Sequence, residues 1–204
     1  GEEILNQEYQ SAWNAFSYDN VDLYYLDINK VSMVMEARTE GATTTYYVKI
    51  GPGDYSSYLS STFANKKEIE DADAYIKDIR NQVMSILGPY NNAMKIKVVN
   101  EWMIDNLSYE NIEGNNNKYN LYGAIVETKV VCEGYARMFK YIMDGLNIPC
   151  ILVSGTATNS EGETELHAWN YVELNGQWYA VDVTWNDPVV IGEGELTESQ
   201  KSKY

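Results

Sequence analysis

Apolar residues recur at steps of three and four in four stretches of the chain, and each predicts an amphipathic helix. Leu5, Tyr9, Ala12, Trp13 and Phe16 mark the first, over 4–16. Ile69, Ala72, Ile76, Ile79, Val83 and Leu87 mark a stronger one over 67–87, ended by Gly88-Pro89. Met94, Val98, Trp102 and Leu107 mark a third over 92–107. The fourth starts near Cys132, carries Tyr135, Phe139, Ile142, Met143 and Leu146, and closes around Gly145 to Asn147.

Elsewhere the period drops to two, with β-branched and aromatic residues. VDLYYLD, VSMVMEA and TTTYYVKI read as strands, with turns at Asn29-Lys30 and Glu40-Gly41. Residues 22–50 are therefore expected to form a small antiparallel β-meander. Three further strands are expected at 150–156, 167–174 and 178–184. Asn175-Gly176 joins the last two as a two-residue hairpin, because both residues tolerate positive φ. Gly51 to Lys66 reads as loop or linker, and Glu113 to Asn120 as an Asn-rich loop. After Pro188 the chain is Gly- and Glu-rich and reads as loose. The expected class is α+β. The expected division is an N-terminal helix plus meander over 1–65 and a larger domain over 66–204.

With 204 residues and 45% hydrophobic content, the chain can bury a sizeable core. No apolar run approaches the roughly 20 residues of a membrane span. No basic-then-apolar leader opens the sequence, so any export signal is expected to be trimmed or absent. A net charge of −15 repels phosphate backbones and argues against nucleic acid as a partner. Two cysteines make no disulfide framework. Cys150 follows Pro149 into an apolar strand and reads as a buried small hydrophobe. Oligomeric state is not readable from the sequence.

Cys132 is different because it opens a helix. Helix N-termini lower thiol pKa values, and the backbone amide of Cys132 would point toward a developing oxyanion. Gly134 is expected to leave room for substrate. His167 is the single histidine, hence the one imidazole available as a base near neutral pH. Hairpin arithmetic places it. With the turn at Asn175-Gly176, Leu174 lies opposite Gln177, Trp169 opposite Asp182, and His167 opposite Thr184. His167, Trp169, Asp182 and Thr184 then share a face, with His167 and Asp182 diagonal at roughly 5–8 Å. A lone histidine or a strand aspartate is commonly structural. The order of nucleophile, base and orienter on suitable elements favours catalysis.

The segments VCEGYARMFKYIMDGLNIPC, HAWNYVELNGQWYAVDVTW and the NDP after them resemble the transglutaminase-like superfamily of papain-like cysteine enzymes. Upstream, DNVDLYYLD, NLSYE and LYGAIVETKVVC are similar to bacterial members. The resemblance implies a nucleophile helix packed on an antiparallel sheet, residues 66–204 as the catalytic domain, and Cys132, His167 and Asp182 as the catalytic set. It implies acyl transfer on protein or peptide amides, by hydrolysis or by cross-linking to an amine. It suggests Tyr122 beside the Cys132 amide as an oxyanion donor. Trp169 and Gly134 are expected on the cleft wall, with Trp178 and Trp185 in the core or cleft wall. No metal or organic cofactor is called for, and no EF-hand pattern appears. Location is expected to be extracellular or wall-associated, with the cytosol as the alternative. The rival readings are a catalytically silent binding or assembly module on the same fold and an acyl-coenzyme A transferase.

Overall fold

The strongest helical period becomes the longest helix, α2 (Lys66–Ile86), following α1 (Glu2–Asp19). The structure is a computed structural model that describes residues 2–52, 55–158 and 162–187. Pro188, the tail beyond it, Gly53 of the expected linker and the side chain of Leu5 lie outside the described part. The chain forms two compact units, Gly1–Asp22 with Ala74–Tyr204, and Leu23–Asp73.

In the unit Leu23–Asp73, β1 (Ser32–Glu40) pairs antiparallel with β2 (Thr43–Gly51), from Ser32↔Gly51 to Glu40↔Thr43. Gly41 turns the hairpin at φ 62, a left-handed conformation that glycine adopts without strain. The expected meander loses its first strand. VDLYYLD contributes one bridge, Leu26↔Leu59, and then a 3-10 turn, Ile28–Lys30. Asp27 explains the departure: its carboxylate accepts from the Asn29 backbone N–H at 3.0 Å, giving the backbone a turn in place of a ladder. Tyr24, Phe63 and Ala72 are the buried apolar residues here, and Tyr24 Oη donates to Asp73 Oδ1 at 2.8 Å.

The larger unit is built around α4 (Cys132–Gly145), which packs on a sheet of order β5-β6-β7. These strands are β5 (Cys150–Thr158), β6 (Thr164–Leu174) and β7 (Gln177–Val181), all antiparallel. Between α2 and α4 lie α3 (Asn92–Asn106) and the short parallel pair β3 (Ser108–Tyr109) and β4 (Lys129–Val130). The expected α+β architecture, a helix opened by Cys132 and packed on an antiparallel sheet, is thus present. The sequence division at 65/66 set α1 beside the meander; in the structure Arg137 of α4 donates to the Ser17 carbonyl and hydroxyl of α1, both at 2.8 Å.

Two apolar stripes differ from expectation. In α3 the buried residues are Ile96, Val99 and Met103, continued by Leu107, while Met94 is exposed. Both sets fit helical spacing, and packing chooses between them. On α4 burial extends nearly all round, including Arg137 and Lys140. Both cations are paired along the helix, Arg137 with Glu133 at 2.7 Å and Lys140 with Asp144 at 3.1 Å, which permits their burial. The apolar centre is Tyr135, Phe139, Ile142 and Met143 with Val83, Leu87, Val99 and Leu121. No helix among the described residues is long and apolar enough to cross a membrane.

Candidate active site

Cys132 is the first residue of α4, and Val131, the cap residue, offers the helix no side-chain hydrogen bond. The first-turn amides therefore keep their positive pole for another acceptor. The Asn-rich segment, which reads from sequence only as a loop, fixes this end of the helix. Its 3-10 turn, Asn116–Tyr119, brings the Lys118 carbonyl to the Val131 N–H at 3.1 Å. Asn115 and Asn117 donate to the two oxygens of Glu127 at 2.7 and 2.6 Å, and Lys118 Nζ is buried on Asn111 Oδ1 and the Ile112 carbonyl. Clustered short amides and a carboxylate five residues before Cys132 were the available signal.

Gly134 is buried, and its missing side chain accommodates this clasp. A Cβ there would meet Val130 Cβ at 2.5 Å and the Lys118 carbonyl oxygen at 2.8 Å. The absence of a side chain lets α4 pack closely on β4.

His167 lies on β6 and is 5% exposed. The β6–β7 register runs from Leu174↔Gln177 to Asn170↔Val181, as the hairpin arithmetic requires, but the ladder then ends. Residues 182–184 do not extend the strand. Asp182 caps a single helical turn, α5 (Val183–Asn186), by accepting from the Trp185 N–H at 3.1 Å through Oδ1. Its other oxygen, Oδ2, accepts from His167 Nε2 at 2.7 Å. The expected pairing of His167 with Thr184 is therefore absent, while the contact of His167 with Asp182 is present. An aspartate placed to cap is a stop signal that strand periodicity hides.

The Cys132 side chain lies near enough to His167 to act on its pKa. Asp182 takes Nε2, which leaves Nδ1 as the other ring nitrogen. Burial alone would push the imidazole pKa down. The hydrogen bond to Asp182, then the one to Cys132, and the charges of both outweigh it, lifting His167 to about 9.

Two indoles flank the imidazole. Trp169 stacks at 5.9 Å and 18°, and Trp185 at 4.8 Å and 24°. Gly155, opposite His167 on β5, admits the Trp169 ring, which a Cβ there would meet at 3.2 Å. Trp185 is thus a cover on His167, half exposed, and Trp178 is likewise half exposed and no part of the core. Tyr122, the suggested oxyanion donor, is half-buried and begins the π-helical turn Gly123–Glu127.

The helix is also pinned to the turn that carries Trp185. Tyr135, one turn after Cys132, is buried and donates to Asp187 Oδ2 at 2.6 Å. Burial first, then this hydrogen bond, holds the Tyr135 hydroxyl far above its usual range. Tyr109 of β3 stacks on Tyr135 at 6.5 Å. Burial, then the charges of Cys132, Glu165 and Tyr119, raise the Tyr109 hydroxyl as well, which sets these groups around one another. Neither Tyr109 nor Glu165 stands out in the sequence, because each lies outside the apolar periods. Among the described residues no three His, Cys, Asp or Glu side chains group as a metal site.

The sequence profile described as the Transglutaminase-like superfamily matches residues 79–183, just over half of the chain. The kyphoscoliosis peptidases of Mus musculus and Homo sapiens are each 25% identical to it over 157 residues. Those alignments cover 68% of this chain and 23% of each relative, so the chain spans about a quarter of their length. A crystal structure described as that of a TGase superposes with a TM-score of 0.51 at 17% identity, over 87% of this chain and 52% of that one. That likeness is one of fold. The matched span, which takes in α4 and the β5-β6-β7 sheet, shows that this chain belongs to the transglutaminase-like superfamily.

Proposed function

We propose that the protein is a thiol acyl-transfer enzyme acting on amides of proteins or peptides, with Cys132 as nucleophile, His167 as acid and base, and Asp182 as orienter. The observation that carries this reading is the 2.7 Å His167–Asp182 hydrogen bond on an imidazole lifted to about 9 beside Cys132. Such an imidazole is protonated at neutral pH, and the proton it holds is the one the thiol gives up. Cys132 sulfur then adds to the amide carbonyl. The carbonyl oxygen takes the electron pair and is met by the Cys132 amide, with Tyr122 as the side-chain candidate. On collapse the C–N bond breaks, the amine leaves with the His167 proton, and a thioester remains on Cys132. Neutral His167 next removes a proton from the incoming water or amine, which attacks the thioester. Water yields the acid, and a primary amine yields a new amide. Asp182 keeps Nε2 protonated throughout and steadies the imidazolium.

Hydrolysis is the outcome we favour, since water is always present and the curated relatives bear the name peptidase. The test is incubation with a glutamine-containing peptide, with and without a primary amine. Ammonia release with a mass gain of about one unit reports deamidation, a larger gain reports cross-linking to the amine, and shortened fragments report peptide cleavage. None of these above the level of Cys132→Ala would overturn the enzyme reading in favour of a silent module.

A further inference from the structure

Two walls border Cys132 beyond the residues so far assigned. One is β3. Tyr109 pairs with Val130, two residues before Cys132, and its ring stacks on Tyr135, one turn after Cys132. Cys132 and Tyr135 share a helix face at this spacing, so Tyr109 lies along the face that carries the thiol. It is 40% exposed. The other wall is the first part of β6. Cys132 packs against Ala136, Leu152 and Ala168. Leu166 is the next residue before Ala168 on the same strand face. Because α4 begins at Cys132, no turn of that helix covers the strand there, and Leu166 is 84% exposed. Glu165 stands on the other face, beside His167 and roughly 7 Å along the strand from it. It too is exposed.

The charges nearby are committed elsewhere. Lys129 pairs with Glu110 at 2.9 Å, Arg137 with Glu133 at 2.7 Å, and Lys118 is buried on neutral oxygens. Glu165 has no cation partner among the described residues. A carboxylate on the His167 face of β6 and a tyrosine ring on which both that carboxylate and Cys132 act match a long aliphatic side chain ending in a positive charge. We propose that Glu165 selects substrates with a lysine or arginine beside the amide that Cys132 attacks, Tyr109 packing on that side chain's stem. The net charge of −15 favours encounter with the same basic chains.

This inference rests on the acyl-transfer reading, and the experiment separates the two. Three peptidyl chloromethyl ketones, alike except for lysine, norleucine or glutamate beside the warhead, are reacted with the protein. Cys132 sulfur displaces chloride, and mass spectrometry counts the thioether. The probes carry their charge on the attacked chain and contain no incoming amine, so the rates report the donor side alone. Lysine should react fastest and glutamate slowest, by about tenfold at low salt and less at high salt, as expected of exposed charges. In Glu165→Gln the lysine and norleucine rates should converge, and in Glu165→Lys the order should invert. A lysine-to-glutamate ratio unchanged in Glu165→Lys overturns the proposal, as does failure of every probe on a Cys132 that takes iodoacetamide. Iodoacetamide is small and neutral. If it labels Cys132 faster than Cys150 while the ratio stays at one, the selectivity fails and the acyl-transfer reading stands. If it labels the two cysteines alike, the acyl-transfer reading itself fails.

Discussion

Cys132 and Cys150 bracket one helix and are chemically opposite. Cys132 opens α4, partly exposed, at a helix end without a side-chain cap and beside an imidazole whose pKa is raised to about 9. Cys150 follows α4 into β5 and is 6% exposed. Burial pushes its thiol up to about 12, against the opposing pull of Lys140, whose ammonium donates to the Cys150 carbonyl at 3.1 Å. The same side chain is a candidate nucleophile at one end and inert packing at the other. What differs is the burial, the helix pole and the imidazole, so reactivity here belongs to position.

Removing the imidazole should break the contrast most completely. In His167→Ala, the rate of Cys132 alkylation by iodoacetamide at pH 7 should fall by about a hundredfold, the low end of what a positioned acid–base group supplies. Cys150 should stay slow, and circular dichroism should still show a cooperative melt. A rate at Cys132 that survives the substitution would mean that the helix pole alone activates the thiol.

The pH dependence sharpens the same contrast. A folded pKa of about 9 lies above the ordinary histidine value of 6.5. Protonated His167 therefore stabilises the fold fully below pH 6.5, and that contribution is lost as pH rises through about 9. Its size is about 3 kcal/mol. Urea denaturation at pH 6, 8 and 10 should show this alkaline loss in the wild type and a much smaller one in His167→Ala. Turnover of a glutamine peptide should decline over the same alkaline range, since the leaving amine then lacks its proton donor. An equal alkaline loss of stability in both proteins would assign it to groups other than His167.

The neighbourhood of these residues was legible in unequal parts. Hairpin register was readable because Asn175-Gly176 fixes a two-residue turn, and alternation then carries the count to Asn170↔Val181. The count failed at Asp182, where a side chain that accepts from the Trp185 N–H ends the ladder. Asp27 ended the expected first strand of the meander in the same way. Both errors have one cause: strand patterning registers apolar alternation and is blind to a carboxylate that satisfies the backbone locally. Gly134 shows a second limit. Its sequence neighbours suggest access, but only three-dimensional packing reveals Val130 and Lys118 where a side chain would stand. The Asn115–Asn117–Glu127 clasp joins residues whose partners no periodicity predicts.

The smallest expected effect concerns Trp185, whose indole covers the imidazole at 4.8 Å while staying half exposed. A ring face attracts a cation by about 0.5–1 kcal/mol at an exposed site, so the stack favours imidazolium over imidazole. Trp185→Ala leaves the Asp182 carboxylate and the backbone N–H it accepts from, and should remove the stack alone. Cys132 alkylation at pH 7 should slow about threefold, the alkaline limb should move to lower pH, and Trp185→Phe should recover most of both. Cys150 supplies the control, because its burial against Lys140 and Asn170 involves no part of α5. Acceleration at Cys150 in Trp185→Ala would show that the indole holds the unit together and that its effect on Cys132 is indirect. A change confined to Cys132 would assign the difference between the two thiols partly to an aromatic face on the imidazolium.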